Sequence, residues 1–134
     1  MKQTLTYTFL LSIFLLLASC SKDDDSPSLN EAGQKLIGEW SFDDPATQPI
    51  PTSSLTFMSD GKVTYRFVTI SGNSYDSETG SFSVNGDKLT MVFPETVTLT
   101  YVQKIVFLTD KKMQFSSTGN PKEEPWDGIY YKVK

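Results

Sequence analysis

Residues 54–67, SLTFMSDGKVTYRF, contain the pattern that the rest of the chain repeats. Apolar and polar residues alternate on both sides of Asp60-Gly61, with the period of a β-strand that has one buried face. Asp-Gly between two alternating runs is a strong signal for a tight hairpin turn, because glycine accepts the positive φ that such turns need. The stretch therefore predicts two antiparallel strands, the second of which places Val63, Tyr65 and Phe67 on one face.

Alternating runs of this kind continue along the chain in both directions. Asn85-Gly86 predicts a second tight hairpin, and Asp110-Lys111 a third turn. Ile129, Tyr131 and Val133 are predicted to form the last inward row. In total, we expect about eight short strands with turns between sequential neighbours, which is typical of a meander; they cover residues 38–42, 54–58, 62–67, 75–84, 88–93, 97–108, 112–116 and 129–133.

A meander of this length has to deal with its two open edges. Closing the sheet into a barrel removes the unpaired edge strands. The prediction is therefore an all-β fold, a small antiparallel up-and-down β-barrel of about eight strands. A two-sheet sandwich has the same periodicity and stays open as the alternative. The interior of an eight-stranded barrel is either filled by side chains or holds one small ligand.

The first nineteen residues have the features of a secretory signal. Lys2 precedes an apolar run at residues 5–18, whose length fits a signal peptide and is short for a membrane span. An uncleaved membrane anchor is the alternative. Residues 17–20 (LASC) match the bacterial lipobox, in which the cysteine thiol takes a diacylglyceryl group. We therefore expect a signal peptide at 1–19 and lipidation of Cys20, with the mature protein held in a bacterial outer membrane by its acyl chains.

Residues 20–35 are expected to form an acidic, flexible tether that ends in a short helix. Residues 21–28 (SKDDDSPS) cannot bury apolar surface, and Asn30 can cap a helix over residues 29–36. The run at residues 21–25 resembles the surface-export signal of Bacteroidetes lipoproteins. That resemblance implies that the protein faces outward from the cell; the periplasmic face is the alternative.

The composition excludes several functions. The chain has no histidine and one cysteine, so it cannot form an internal disulfide, the usual zinc or copper sites or histidine-based catalysis. Its net charge of −4 leaves no basic stripe for nucleic acid. Asp60, Asp87 and Asp110 are explained by turns, and Glu39 is expected to face water. We therefore expect no enzymatic activity, no metal and no cofactor.

Residues 36–40 (LIGEW) resemble the opening of lipocalin-like domains, with a Gly-x-Trp motif on the first strand. Residues 55–63, 80–89 and 105–115 resemble later hairpins of the small lipocalin-like lipoproteins of Bacteroidetes. The resemblance implies a barrel domain over residues 36–134. It also implies that Trp40 packs across the closed end of the barrel and that Gly38 permits close packing beside it.

Two functions follow from this picture. In the first, the barrel binds or carries a small apolar ligand, and the candidate ligand-binding residues are Tyr65, Phe67, Tyr101, Gln103 and Tyr131. A completely filled core is the alternative for these side chains. In the second, the domain binds glycans or proteins through loops at residues 43–53 and 117–127. Trp126, in the second loop, either covers a barrel end or is exposed for a partner. A third possibility is that the barrel blocks an envelope enzyme.

Overall fold

Eight antiparallel strands close into a barrel, in sequence order, in the computed structural model of the chain. The structure describes residues 29–69, 72, 74–94 and 97–133. The predicted signal peptide, Cys20 and the acidic run lie outside the described residues. Within these ranges the barrel is preceded by one helix and contains one 3₁₀ turn, Glu124–Trp126; the elements are α1 (Glu31–Leu36), β1 (Gly38–Ser41), β2 (Ser53–Phe57), β3 (Lys62–Val68), β4 (Tyr75–Asn85), β5 (Lys88–Pro94), β6 (Thr98–Thr109), β7 (Lys112–Ser117) and β8 (Gly128–Lys132).

The closure of the sheet confirms the barrel and rules out the sandwich. Each strand pairs with the next one, and β1 pairs with β8 through Trp40 opposite Lys132 and Ser41 opposite Tyr131. The two predicted glycine hairpins are confirmed. Gly61 has a φ of 82° and Gly86 a φ of 62°, and side chains with a Cβ rarely adopt such angles.

Helix α1 covers one end of the barrel, which we call the closed end. As predicted, Asn30 caps it: the Asn30 Oδ1 accepts a 2.8 Å hydrogen bond from the Gly33 backbone N–H. The Asn30 Nδ2 also donates to the Val84 carbonyl of β4 at 3.1 Å, which fixes α1 against the barrel wall. The β2–β3, β4–β5 and β6–β7 turns share this end. The opposite end, with the four remaining loops, is the open end.

Trp40 lies completely buried below α1, and its indole Nε1 donates a 2.7 Å hydrogen bond to the Leu36 carbonyl. This places it at the closed end, where the family resemblance implied it would be. Large side chains fill the barrel around and above it; those with almost no exposed surface are Leu55, Phe57, Val63, Leu89, Met91, Phe93, Gln103, Met113, Phe115 and Tyr130. Free space for a ligand is therefore expected near the ends of the barrel rather than in its middle.

The prediction that Ile129, Tyr131 and Val133 form the last inward row is wrong. Tyr130 is the buried residue of β8, and it lies opposite the buried Met113 of β7. Because two tyrosines are adjacent, both faces of β8 carry an aromatic ring, and periodicity alone could not separate them. Lys132 lies on the same inward face of β8 as Tyr130. Its ammonium lies 5.3 Å from the centre of the Trp40 ring, so this charge stays at the end of the barrel.

Candidate functional site

The open end of the barrel is covered by the β7–β8 loop (residues 118–127), which folds over the mouth. The loop carries Trp126 on its 3₁₀ turn, and the indole contacts three rings from three strands. Tyr65 and Tyr101 meet it edge-on, with ring centres 5.0 and 5.3 Å away. The Phe93 ring lies parallel to the indole at 6.4 Å. Trp126 is thus half-buried in an aromatic cluster, which confirms the interpretation that it covers a barrel end.

Glu123 fixes the loop through its buried carboxylate. One carboxylate oxygen accepts from the Val102 backbone N–H at 3.2 Å, and the other accepts from the Thr118 backbone N–H at 3.3 Å and the Thr118 hydroxyl at 3.0 Å. Burial acts to raise the pKa of Glu123, but these hydrogen bonds, with one from Asn120, outweigh it and hold the pKa below the usual 4.5. The carboxylate is therefore charged at neutral pH and acts as an anchor for the loop.

Two further hydrogen bonds connect the loop to the barrel interior. The Gln103 Nε2 donates to the Glu123 carbonyl at 3.0 Å, and the Tyr130 hydroxyl donates to the Trp126 carbonyl at 3.0 Å. Burial raises the pKa of the Tyr130 hydroxyl, which keeps it a donor. The buried Oε1 of Gln103 has no hydrogen-bond partner within the described part of the chain. Below the loop, the barrel thus contains one acceptor whose hydrogen-bonding capacity is unused.

Beside Trp126 there is an open cleft of about 180 Å³, lined by Phe42, Tyr65, Tyr101, Lys122, Pro125 and Trp126. Its walls are aromatic rings and a proline, with one ammonium and two phenol hydroxyls as polar groups. Burial, followed by the nearby Glu78 carboxylate, raises the pKa of Tyr65, so its phenol is neutral and available as a hydrogen-bond donor. Such a cleft is suited to the apolar part of a small ligand, with few polar groups to orient it.

The structure brings only some of the predicted site residues together. Tyr65 and Tyr101 line the cleft, and Phe67 stacks on Tyr65 with ring centres 5.1 Å apart. Gln103 points inward, as predicted, but lies beneath the β7–β8 loop. The placement of Tyr131 on the inner surface is wrong: its ring lies on the outer wall, with the Lys112 ammonium 5.0 Å from its centre.

Phe42, Lys122 and Pro125 line the cleft and were missed as site residues. Phe42 follows Trp40 by two positions, so strand alternation extended past the end of β1 could have found it. Its ring packs on Tyr130 with centres 4.0 Å apart. Lys122 and Pro125 belong to the β7–β8 loop, and no periodicity indicates where such a loop folds.

Among the described residues there is no group of three side chains suited to hold a metal ion. None of the helices in this part of the chain combines the length and the apolar character that a membrane crossing needs.

Comparison with known proteins supports the barrel architecture. A family model described as a lipocalin-like domain matches residues 36–115. A lipocalin-like protein from Bacteroides uniformis ATCC 8492 is 14% identical, with 73% of this chain and 98% of that chain covered and a TM-score of 0.54. An uncharacterized protein from Bacteroides eggerthii DSM 20697 is 18% identical, with 72% and 96% covered and a TM-score of 0.48. No curated protein matches the chain. Because the family model spans more than half of the chain and the strands close into the expected barrel, the chain belongs to the family of lipocalin-like domains.

Proposed function

We propose that the protein is an outer-membrane lipoprotein, anchored through Cys20, whose barrel binds a small apolar ligand at its open end. The main observation in support of ligand binding is the aromatic cluster at the mouth of the barrel. Tyr65, Tyr101 and Trp126 surround an open cleft. Aromatic side chains that only fill a core are buried more completely than these three.

The size of the cleft limits what it can take. Its volume of about 180 Å³ is below the roughly 300–1,000 Å³ of pockets that enclose a drug-sized molecule. The lower barrel is filled by side chains such as Met91 and Phe115. The ligand we propose therefore inserts one ring or a short apolar end between the aromatic walls, while its other part stays in solvent near Lys122.

Titration with N-phenyl-1-naphthylamine, a neutral aromatic probe that fluoresces in apolar surroundings, tests this site. We expect Tyr101→Ala to weaken probe binding about fivefold or more, because it removes one wall of the cleft. Tyr131→Ala is the matched control, since it removes a tyrosine from the outer wall, and we expect no change. Equal affinities for the two variants would contradict the site. Circular dichroism of each variant establishes that the barrel is intact.

The membrane anchor rests on the sequence at residues 17–20 (LASC) and the polar run after it. The acyl chains would contribute about 0.8 kcal/mol for each methylene buried in the bilayer, enough for stable attachment when several chains are present. We expect Cys20→Ala to abolish labelling by a radioactive fatty acid and to release the protein from the membrane fraction. Persistent labelling of this variant would contradict the anchor.

The proposal includes no catalytic step. The carboxylates that are shielded from solvent have structural partners: Glu123 anchors the β7–β8 loop, and Glu39 forms a 3.1 Å ion pair with Arg66 on the outer wall.

A second candidate function is recognition of a protein partner by the rim of the open end. Ile50 in the β1–β2 loop and Val97 in the β5–β6 loop are 72% and 68% exposed, so each is available for contact with another surface. We expect Ile50→Asp to abolish binding of such a partner while leaving probe binding at the cleft unchanged. Pull-downs from the native envelope with the wild type and with Ile50→Asp distinguish this candidate from the first.

A further inference from the structure

The charged residues of the barrel are divided between its two ends. Among the described residues of the closed end, seven lysines stand against five carboxylates, a surplus of two positive charges; they are Lys35, Lys62, Lys88, Lys104, Lys111, Lys112 and Lys132 against Glu31, Glu39, Asp60, Asp87 and Asp110. Among the described residues of the open end, Arg66 and Lys122 stand against seven carboxylates: Asp43, Asp44, Asp76, Glu78, Glu123, Glu124 and Asp127. The net charge of −4 for the full chain hides this separation, because it adds both ends to the charges of the N-terminal residues.

The carboxylates of the closed end are mostly neutralised by their own lysines. Glu31 pairs with Lys35 at 2.9 Å, Asp60 with Lys62 at 3.1 Å and Asp87 with Lys104 at 3.5 Å. Among the described residues of this end, four further ammonium groups have no carboxylate within 4 Å; they belong to Lys88, Lys111, Lys112 and Lys132. These four lysines, which we call the basic rim, lie on the β4–β5 and β6–β7 turns and at the end of β8.

Apolar surface lies next to the basic rim. Leu108, close to the β6–β7 turn, is 46% exposed on the outer wall. A cleft of about 440 Å³ between α1 and this turn is lined by Phe107 and Leu108, and its charged lining residues are Lys35, Lys132 and Asp110. Apolar side chains among cations are suited to the boundary between lipid headgroups and acyl chains.

The chain that leads to the proposed lipid anchor enters the barrel at this same end. Helix α1 begins at Glu31, and only residues 21–30 separate it from Cys20. Ten residues span at most roughly 35 Å when fully extended, so an anchored barrel stays close to the bilayer. Such confinement gives a high effective concentration, which makes even a weak contact with the lipid surface populated.

We propose that the closed end of the barrel docks on an anionic, phosphate-bearing lipid surface through the basic rim. The expected orientation of the barrel rests on the proposed Cys20 anchor. The attraction between the basic rim and an anionic surface does not depend on that anchor. Each lysine close to an anionic leaflet strengthens attachment about fivefold, and the surplus carboxylates of the open end are repelled from it. The docked barrel therefore presents its aromatic mouth away from the membrane, where a ligand can enter from solution.

Lysine footprinting of the lipidated protein tests the docking. The protein is reconstituted either in phosphatidylcholine vesicles or in vesicles that also contain the anionic lipid phosphatidylglycerol. A water-soluble amine-acylating reagent is added, and mass spectrometry reports the modification of each lysine. In the anionic vesicles we expect the basic rim to react severalfold more slowly, with Lys122 at the open end unchanged. The protection should disappear in about 1 M salt, where the Debye length falls to about 3 Å.

Two variants with the same change of charge provide the control. Lys111→Glu should remove most of the protection of Lys88 and Lys132, whereas Lys122→Glu should leave it intact. Equal reactivity of the basic rim in both kinds of vesicle, or equal effects of the two variants, would overturn the docking. So would protection that appears only after Asp23, Asp24 and Asp25 are replaced by asparagine, because the acidic run of the chain would then be what occupies the rim.

The experiment separates the docking from the anchor. If the protein fails to float with phosphatidylcholine vesicles, it carries no acyl chains, and this result contradicts lipidation of Cys20. Docking is then judged from flotation with the anionic vesicles alone.

Discussion

Trp40 and Trp126 lie at opposite ends of the barrel and are held in different ways. Trp40 is completely buried and donates its indole N–H to the Leu36 carbonyl at 2.7 Å. Trp126 is half-buried and is held by ring contacts, of which the nearest is with Tyr65 at 5.0 Å. One tryptophan therefore closes the barrel through a specific hydrogen bond, and the other covers the mouth through contacts that a ligand can compete with.

This difference predicts different responses to the same substitution. Trp40→Phe leaves the buried Leu36 carbonyl without its donor and should lower the free energy of unfolding by about 1–3 kcal/mol. Trp126→Phe keeps an aromatic ring at the mouth and breaks no indole hydrogen bond of the described structure, so we expect a smaller loss. Urea unfolding followed by circular dichroism measures both. A larger loss for Trp126→Phe would contradict the role given to Trp40.

The charge of Glu123 makes stability depend on pH. The pKa of Glu123 is lowered in the folded protein, so its contribution is complete above the unfolded value of 4.5 and declines as the pH falls through the folded value. We therefore expect the free energy of unfolding to fall below about pH 5 more steeply for the wild type than for Glu123→Gln. Glu124→Gln, at an exposed neighbour, is the control. Identical pH profiles for the wild type and Glu123→Gln would show that the carboxylate has no such role.

At the scale of elements, α1 depends on one residue at its start. Asn30→Ala removes both the cap on the Gly33 N–H and the bond to the Val84 carbonyl, and should cost about 1 kcal/mol or more in unfolding free energy. Asn30→Asp keeps the capping oxygen and loses only the donor, so we expect an intermediate cost. Thermal unfolding of the two variants measures the difference. Equal costs would mean that the cap contributes nothing, and an Asn30→Asp variant as stable as the wild type would mean that the contact with β4 contributes nothing.

The strands show where sequence periodicity succeeds and where it fails. The hairpins at Gly61 and Gly86 were predictable because the backbone there has positive φ, which glycine favours strongly. The face of β8 was not predictable, because Tyr130 and Tyr131 are equally suited to a core and only pairing with β7 selects Tyr130. Leu99 shares the inner face of β6 with Tyr101 but is exposed at the open rim, since periodicity does not show where a barrel ends.

For the whole molecule, the closed barrel and its family were predictable, and the shape of the mouth was not. Tyr65 and Tyr101 could be placed in the site because strand alternation fixes their face. Lys122 and Pro125 could not, because the path of the β7–β8 loop depends on tertiary hydrogen bonds from Val102 and Gln103 to Glu123. The separation of positive charge at the closed end from negative charge at the open end likewise becomes visible only when the topology assigns each turn to one end.

The central claim is that a small apolar ligand binds at the aromatic mouth, and the two indole N–H resonances test it most directly. Trp126 lies at the mouth, and Trp40 lies under α1 at the closed end, so each reports on one end of the barrel in the same spectrum. On addition of N-phenyl-1-naphthylamine to ¹⁵N-labelled protein, we expect the Trp126 indole resonance to shift with saturation and the Trp40 resonance to stay in place. A probe that binds without moving the Trp126 resonance, or that moves only the Trp40 resonance, would contradict a ligand site at the open end.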